Sequence, residues 1–305
     1  MNDDGRPPAT AMTNPRADRV RDVAKLAGRP VRLKRRQFLA EGPQAVREAL
    51  RAHRECLAAG GTAVVAEVYA NLECLKRYPE MLDLAEDPVS RLHIRVASEL
   101  VLEAMTDTVT PQGIIAVCNY VDVPLDEVLA RKPKLIAVMC QVRDPGNAGT
   151  VLRAADAAGA DAVVFTSSSV DVYNPKSVRS TVGSLFHLPV VVGVDVAELA
   201  AHCKAAGMGV LAADGYGHLN LDALQDESAA RSFEQEVPES QYELENPTAW
   251  LFGNEAQGLS EEELMLADHR VAVPVYGTAE SLNLGTAATV CLYASARAQR
   301  RGQEA

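Results

Sequence analysis

The sequence predicts a two-domain α/β protein, a small mixed unit followed by a mostly parallel sheet covered on both faces. Three observations predict this. At ~100–200 residues per domain, 305 residues exceed what one core needs. From Lys134 onward, short apolar runs alternate with helix-patterned segments, as in a parallel sheet buried on both sides. Ahead of that region, strand-like and helix-like runs fill residues 16–120, and a polar stretch with Pro124 and Pro133 at residues 121–133 reads as a linker.

In order, residues 1–15 read as a mobile tail. A strand starts at Gln37, turns at Gly42-Pro43 and leads into a helix with Pro43 in its first turn. Strands at 62–68 and 112–117 flank a helix over 98–105 with Ser98 as its cap. Residues 134–305 form the second domain, with strands over 135–140, 162–165, 188–194, 209–213, 249–252 and 270–273. Its helices run over 147–159, about 176–183, 197–206, 260–266 behind Ser260, and 283–301. Residues 220–246 hold eight acidic side chains against Arg231 alone and read as an exposed, partly mobile insertion.

Hydrophobic residues make up 48% and charged residues 23%, the mix of a globular protein and not of a disordered or fibrous one. No apolar run approaches the ~18 residues that span a bilayer, and the first residues lack the order of a signal peptide, so a cytoplasmic protein without membrane contact is expected. The six cysteines show no C-x-x-C pair and no histidine at ligand spacing, which predicts free thiols and no metal site. Residues 16–36 carry a net charge of +7 in a chain whose formal charge is −11. Such a segment suits either a directed contact with a polyanion or a solvated helix face.

Ligands of open parallel sheets sit at the carboxyl ends of the strands, which directs attention to the loops after Cys140, Phe252 and Val273. The first, Gln141-Val-Arg-Asp-Pro-Gly-Asn-Ala-Gly-Thr-Val-Leu-Arg, places Asn147 at the cap of a helix and Arg153 nearly two turns in. The second, Leu251-Phe-Gly-Asn-Glu-Ala-Gln-Gly-Leu-Ser, holds Glu255 between glycines that admit close backbone approach. The third runs from Val273-Pro-Val to Glu280-Ser-Leu-Asn, with Asn283 opening the last helix. The G-x-G-x-x-G fingerprint, the G-x-x-x-x-G-K-[ST] loop and the Gly-x-Ser-x-Gly elbow are all missing, which disfavours dinucleotide, nucleoside triphosphate and serine hydrolase chemistry. Taken singly, these residues read as turn glycines, helix caps and a surface arginine; three such loops on one sheet edge point to a site.

The three motifs, in this order over residues 134–300, resemble those of the SpoU (TrmH) family of RNA ribose 2′-O-methyltransferases. Residues 37–50 with Thr110-Pro-Gln-Gly-Ile resemble the L30e-like substrate-binding domain that often precedes the catalytic one. The resemblance implies a C-terminal SPOUT α/β domain with a deep trefoil knot, S-adenosylmethionine as cofactor, and a homodimer packed knot against knot whose active sites draw on both protomers. It implies catalytic roles for Asn147, Arg153, Glu255 and Asn283, and cofactor binding by Leu251, Gly253, Asn254, Gly258, Val273, Ser281 and Leu282, with 166–168 beside them. Arg32, Lys34, Arg35, Arg36 and Arg143 are the expected RNA contacts. Arginine almost never deprotonates, so Arg153 is read as a phosphate clamp and a stabiliser of the forming alkoxide, with a phosphate oxygen or water taking the proton. The family's usual serine two residues after Asn283 is Gly285 here. Methylation of 23S ribosomal RNA is the leading expectation, with transfer RNA methylation or an inactive knotted RNA-binding protein as alternatives.

Overall fold

Apolar runs become strands wherever both faces find cover, and the computed structural model, which describes residues 11–108, 110–233 and 240–301, shows two such sheets. The chain divides into two compact units, one reaching Val121 and including Asp171–His187, the other made of Asp122–Val170 and the chain from Leu188 onward.

The front unit contains α1 (Asp18–Ala24), α2 (Arg29–Arg35), β1 (Gln37–Glu41), α3 (Pro43–Ala58), β2 (Val65–Ala70), α4 (Leu72–Arg77), α5 (Glu80–Glu86), β3 (Ile94–Val96), α6 (Glu99–Met105) and β4 (Ile114–Asn119). Its sheet runs β1-β4-β2-β3, with β4 antiparallel to both neighbours. Gly42, at φ 86°, makes the expected turn, and Pro43 opens α3. Val20, Leu26, Leu39, Tyr69, Leu102 and Val117 build the core on one face of the sheet. Residues 1–10 of the expected tail lie outside the described residues, but Met12 does not behave as a tail: its N–H donates to the Val96 carbonyl at 2.8 Å and its own carbonyl accepts from Ser98 at 2.9 Å.

Then follow α7 (Leu125–Ala130), β5 (Leu135–Met139), α8 (Pro145–Ala158), β6 (Ala162–Thr166) and α9 (Pro175–Thr181), the last belonging to the front unit. The chain returns with β7 (Val190–Val194), α10 (Val196–Ala205), β8 (Gly209–Ala213), β9 (Leu219–Asn220), α11 (Leu221–Ser232), β10 (Thr248–Phe252), α12 (Glu261–Leu266), β11 (His269–Ala272) and α13 (Leu284–Gln299). All its strands are parallel, in the order β7-β6-β5-β10-β8-β11-β9. Every residue of β5, β6 and β10 is buried, as strands covered on both faces must be. On one face α13 packs along α8, where the indole of fully buried Trp250 donates to Ser295 Oγ at 2.9 Å.

Three expectations change. Residues 125–130 of the expected linker are helical, and Leu125 and Val128 enter the C-terminal core. Residues 171–187, expected within the C-terminal domain, group with the front unit. In the acidic insertion, α11 buries Leu221, Leu224 and Ser228 and packs on α13, with Asp226 exposed and Asp222 and Glu227 half-buried, so this part of the insertion is an ordered helix; residues 234–239 lie outside the described residues. No helix among the described residues is long and apolar enough to cross a membrane.

Candidate active site

The site begins with two tight turns at the carboxyl edge of neighbouring strands β5 and β10. After β5, Asp144 caps α8 by accepting from the Asn147 N–H at 2.9 Å, and Pro145 takes the first helical position. Asn147 therefore lies within the first turn instead of at the cap, which leaves its side chain available. After β10, Asn254 and Gly258 exchange backbone hydrogen bonds of 2.9 and 2.8 Å. At the base of that turn a Cβ on Gly253 would fall 2.2–2.5 Å from the backbone of Gly258 and Leu259, so only glycine fits. The turn carries Glu255.

Glu255 Oε1 accepts from the Asp144 N–H at 3.1 Å and from Asn147 Nδ2 at 3.2 Å, and Oε2 accepts from the Arg143 N–H at 3.3 Å. Asn147 Oδ1 accepts in turn from Asn283 Nδ2 at 3.1 Å. Asn283 caps α13, its Oδ1 accepting from the Gly285 N–H at 2.9 Å. The cap fixes which way each amide faces: with Asn283 Oδ1 engaged, Nδ2 must donate to Asn147, whose own Nδ2 then meets the carboxylate. Three of the four expected catalytic residues, from three loops, thus form one hydrogen-bonded chain. Burial pushes the Glu255 carboxyl upward, but its own backbone amide, the Asn147 amide and the Arg143 and Asp144 N–H groups outweigh that and hold it below the usual range.

The fourth, Arg153, stands apart: it is exposed on α8, and its side chain makes no hydrogen bond or ion pair among the described residues. Of the expected cofactor residues, Leu251 and Gly253 are buried at the end of β10. The Asn254 side chain is already engaged, donating to the Gln141 carbonyl at 3.0 Å and accepting from the Ala256 N–H at 2.9 Å. No main-chain group of residues 273–282, which include Val273, Ser281 and Leu282, is hydrogen-bonded among the described residues. Residues 275–282 are exposed, so their main-chain groups are open to a ligand at the start of α13. Residues 166–168 instead line a cleft of about 310 Å³ opposite Asp195 and Glu263, and neither 251–258 nor 273–283 contributes to it. Gly285 is explained by packing, since a Cβ there would lie 2.6 Å from Thr150 Cγ2, where α13 crosses α8.

The basic run divides. Arg32, expected to touch RNA, is 2% exposed and turned inward; its guanidinium donates to the carbonyls of Leu26 (2.9 Å) and Ala27 (2.6 Å) and to Asp171 Oδ2 (2.7 Å). Its donors are committed, so it is a strut and not a phosphate contact. Lys34, Arg35 and Arg36 are exposed, with Arg36 lying 4.6 Å over the Tyr120 ring. Arg143 is exposed beside the Glu255 turn. Sequence reasoning missed Gln141 and the capping role of Asp144; the latter was legible, because aspartate three residues ahead of an amide in an Asp-Pro start is a cap signal.

Residues 134–293 match the SpoU rRNA Methylase family, and residues 17–116 match the MRM3-like substrate binding domain. Over 278 residues the chain is 36% identical to the 23S rRNA (guanosine(2553)-2′-O)-methyltransferase RlmP of Bacillus subtilis, covering 90% of this chain and 94% of that one. It is 32% identical over 215 residues to the 23S rRNA (uridine(2479)-2′-O)-methyltransferase of Streptomyces viridochromogenes, covering 70% and 69%. The AdoMet-bound rRNA methyltransferase from Sinorhizobium meliloti superposes with a TM-score of 0.76 at 25% identity over 97% of this chain and 98% of that one. The SpoU methyltransferase AviRb from Streptomyces viridochromogenes, in complex with AdoMet, gives 0.74 at 27% identity over 94% and 100%. Fold and family match together define an S-adenosylmethionine-dependent methyltransferase. The chain belongs to the SpoU rRNA methylase family.

Proposed function

We propose that this protein methylates one ribose 2′-hydroxyl of 23S ribosomal RNA. The observation that carries the reading is the chain Asn283–Asn147–Glu255, which ties three motif loops into one polar surface at the sheet edge; the named substrates of the relatives favour ribosomal over transfer RNA. S-adenosylmethionine, when bound, supplies an electrophilic methyl group. Leu251, Gly253, Val273, Ser281 and Leu282 would hold it through main-chain groups, while Asn254 and Gly258, whose main chains bind each other, shape the turn. Glu255, whose carboxylate accepts from the Asn147 amide and from the Arg143 and Asp144 N–H groups, organises the loops. Arg153 carries a fixed positive charge with no side-chain partner among the described residues, which suits clamping a substrate phosphate and stabilising the forming alkoxide, while a phosphate oxygen or water accepts the proton. Lys34, Arg35, Arg36 and Arg143 supply sequence-independent phosphate contacts.

In this reading residues 16–120 are the L30e-like RNA-holding domain and residues 134–305 the knotted methyltransferase domain, working as a homodimer. Val290 and Tyr293, exposed along α13 at 36% and 48%, support a partner on that helix. The free cysteines fit a cytoplasmic setting. The test is transfer of labelled methyl from S-adenosylmethionine to total RNA of cells lacking the protein, followed by mapping. Label at one 23S ribose is the expected result; label only on transfer RNA moves the substrate, and no label without cofactor binding leaves an RNA-binding protein.

A further inference from the structure

Methyl transfer, on the reading just given, needs the loops after β5 and β10 held in one register, and we infer that Gln141 sets it, as a positioning residue for the reaction. Gln141 follows β5 and sits at φ 54°, in the left-handed region that side chains other than glycine rarely adopt. A residue held there is fixed by its surroundings, and here three of its four polar groups go to three different parts of the chain. Its N–H donates to Thr166 Oγ1 at the end of β6 (3.3 Å), its carbonyl accepts from Asn254 Nδ2 (3.0 Å), and its Nε2 donates to Glu263 Oε1 (3.1 Å).

Those last two partners bracket the Glu255 turn. Asn254 opens it; Glu263, 4% exposed, belongs to the helix that follows it, where its Oε2 accepts from the Ser260 N–H at 2.8 Å in the capping box. One residue therefore grips the segment 254–263 at both ends. The contacts close a ring, because Glu255 reaches back to the N–H groups of Arg143 and Asp144, two and three residues beyond Gln141, and to Asn147. The left-handed backbone belongs to the device: it sets the direction of the carbonyl that Asn254 binds, and an extended Gln141 would point it elsewhere. Loss of this residue loosens the turn that carries Glu255 while leaving the exposed main chain of residues 275–282 untouched.

The test uses the full chain with Gln141→Gly, Gln141→Asn and Gln141→Val. Glycine keeps the backbone and loses the amide, asparagine tolerates the backbone and retains an amide, and valine resists the left-handed backbone. Two readouts are taken, hydrogen exchange of the Asn254 and Gly258 amides and steady-state methyl transfer alongside S-adenosylmethionine affinity. Expected for Gln141→Gly are several-fold faster exchange and a kcat lowered about tenfold with cofactor Kd within about twofold, a split that general destabilisation does not give. Asparagine restores most of both, and valine loses more than glycine. If valine does not fold, the other two variants decide. A folded Gln141→Gly with wild-type exchange and kcat overturns the inference. Wild-type protein that methylates no RNA would instead overturn the methyltransferase reading, and exchange alone would still decide whether Gln141 holds the turn.

Discussion

In the front unit, Arg32, from a basic run that the sequence offers as a surface, turns inward as a strut, as does His53; at the edge of the C-terminal sheet, polar residues stay exposed and bind one another. Arg32 and His53 are each 2% exposed, whereas Asn147, Glu255 and Asn283 are partly or fully exposed yet connected. The difference lies in what a pattern encodes. A charge run fixes composition but not direction, and a helix inside it must still bury one side. Motifs at spaced strand ends encode mutual contact, because parallel topology brings those ends together whatever the intervening chain does.

The sharpest way to break this comparison is to treat Arg32 and its neighbours alike. Arg32→Ala leaves the Asp171 carboxylate, 12% exposed, without its partner and frees two carbonyls. A loss of about 3–5 kcal/mol in urea denaturation is expected, the scale for removing one member of a buried pair. Lys34→Ala with Arg35→Ala should leave stability within about 0.5 kcal/mol and reduce the salt dependence of RNA binding by roughly 1.5 in logarithmic slope. If the two surface changes destabilise as much as Arg32→Ala, the division into strut and contact is wrong.

At the other region the prediction is catalytic. Arg153→Ala should lower methyl transfer about 100-fold, the effect of deleting one donor to a developing oxyanion, and keep thermal stability and cofactor affinity. Transfer near the wild-type rate would remove Arg153 from the reaction and leave the Asn283–Asn147–Glu255 chain to account for it.

Much of the C-terminal fold was legible because its signals are local. The strand at 209–213 coincides with β8, Ser260 caps α12 with its reciprocal glutamate, and Asn283 caps α13. Less local features escaped. The insertion reads as polar because α11 buries only Leu221, Leu224 and Ser228, too few positions to give a helical period of apolar residues. Gln141 escaped for two reasons. Its left-handed backbone costs about 1–2 kcal/mol and has no signature in residue type, and its partners Asn254 and Glu263 lie 113 and 122 residues away. Arg32 escaped because its acceptor arrives from residue 171, on a segment that pattern assigns to the other domain.

The smallest predicted effect extends the strut description to pH. His53 Nδ1 accepts from the Val65 N–H at 3.0 Å, so Nε2 carries the proton and donates to the Ser90 carbonyl at 3.2 Å. The ring joins α3, β2 and the chain after α5, and it can do so only when neutral, since a second proton would face the Val65 N–H. Burial lowers its pKa from the ordinary 6.5, partly countered by the Ser90 carbonyl. The unfolded chain therefore takes up a proton first as pH falls, and stability from this group is complete above about 6.5 and declines below it, down to the folded pKa. Urea midpoints measured from pH 7.5 to 5 should fall on the acid side, and the difference between wild type and His53→Gln should shrink over the same window because glutamine binds no proton. A constant difference across that range would mean the ring is not held neutral, and the front unit would lose its clearest inward-facing titratable strut.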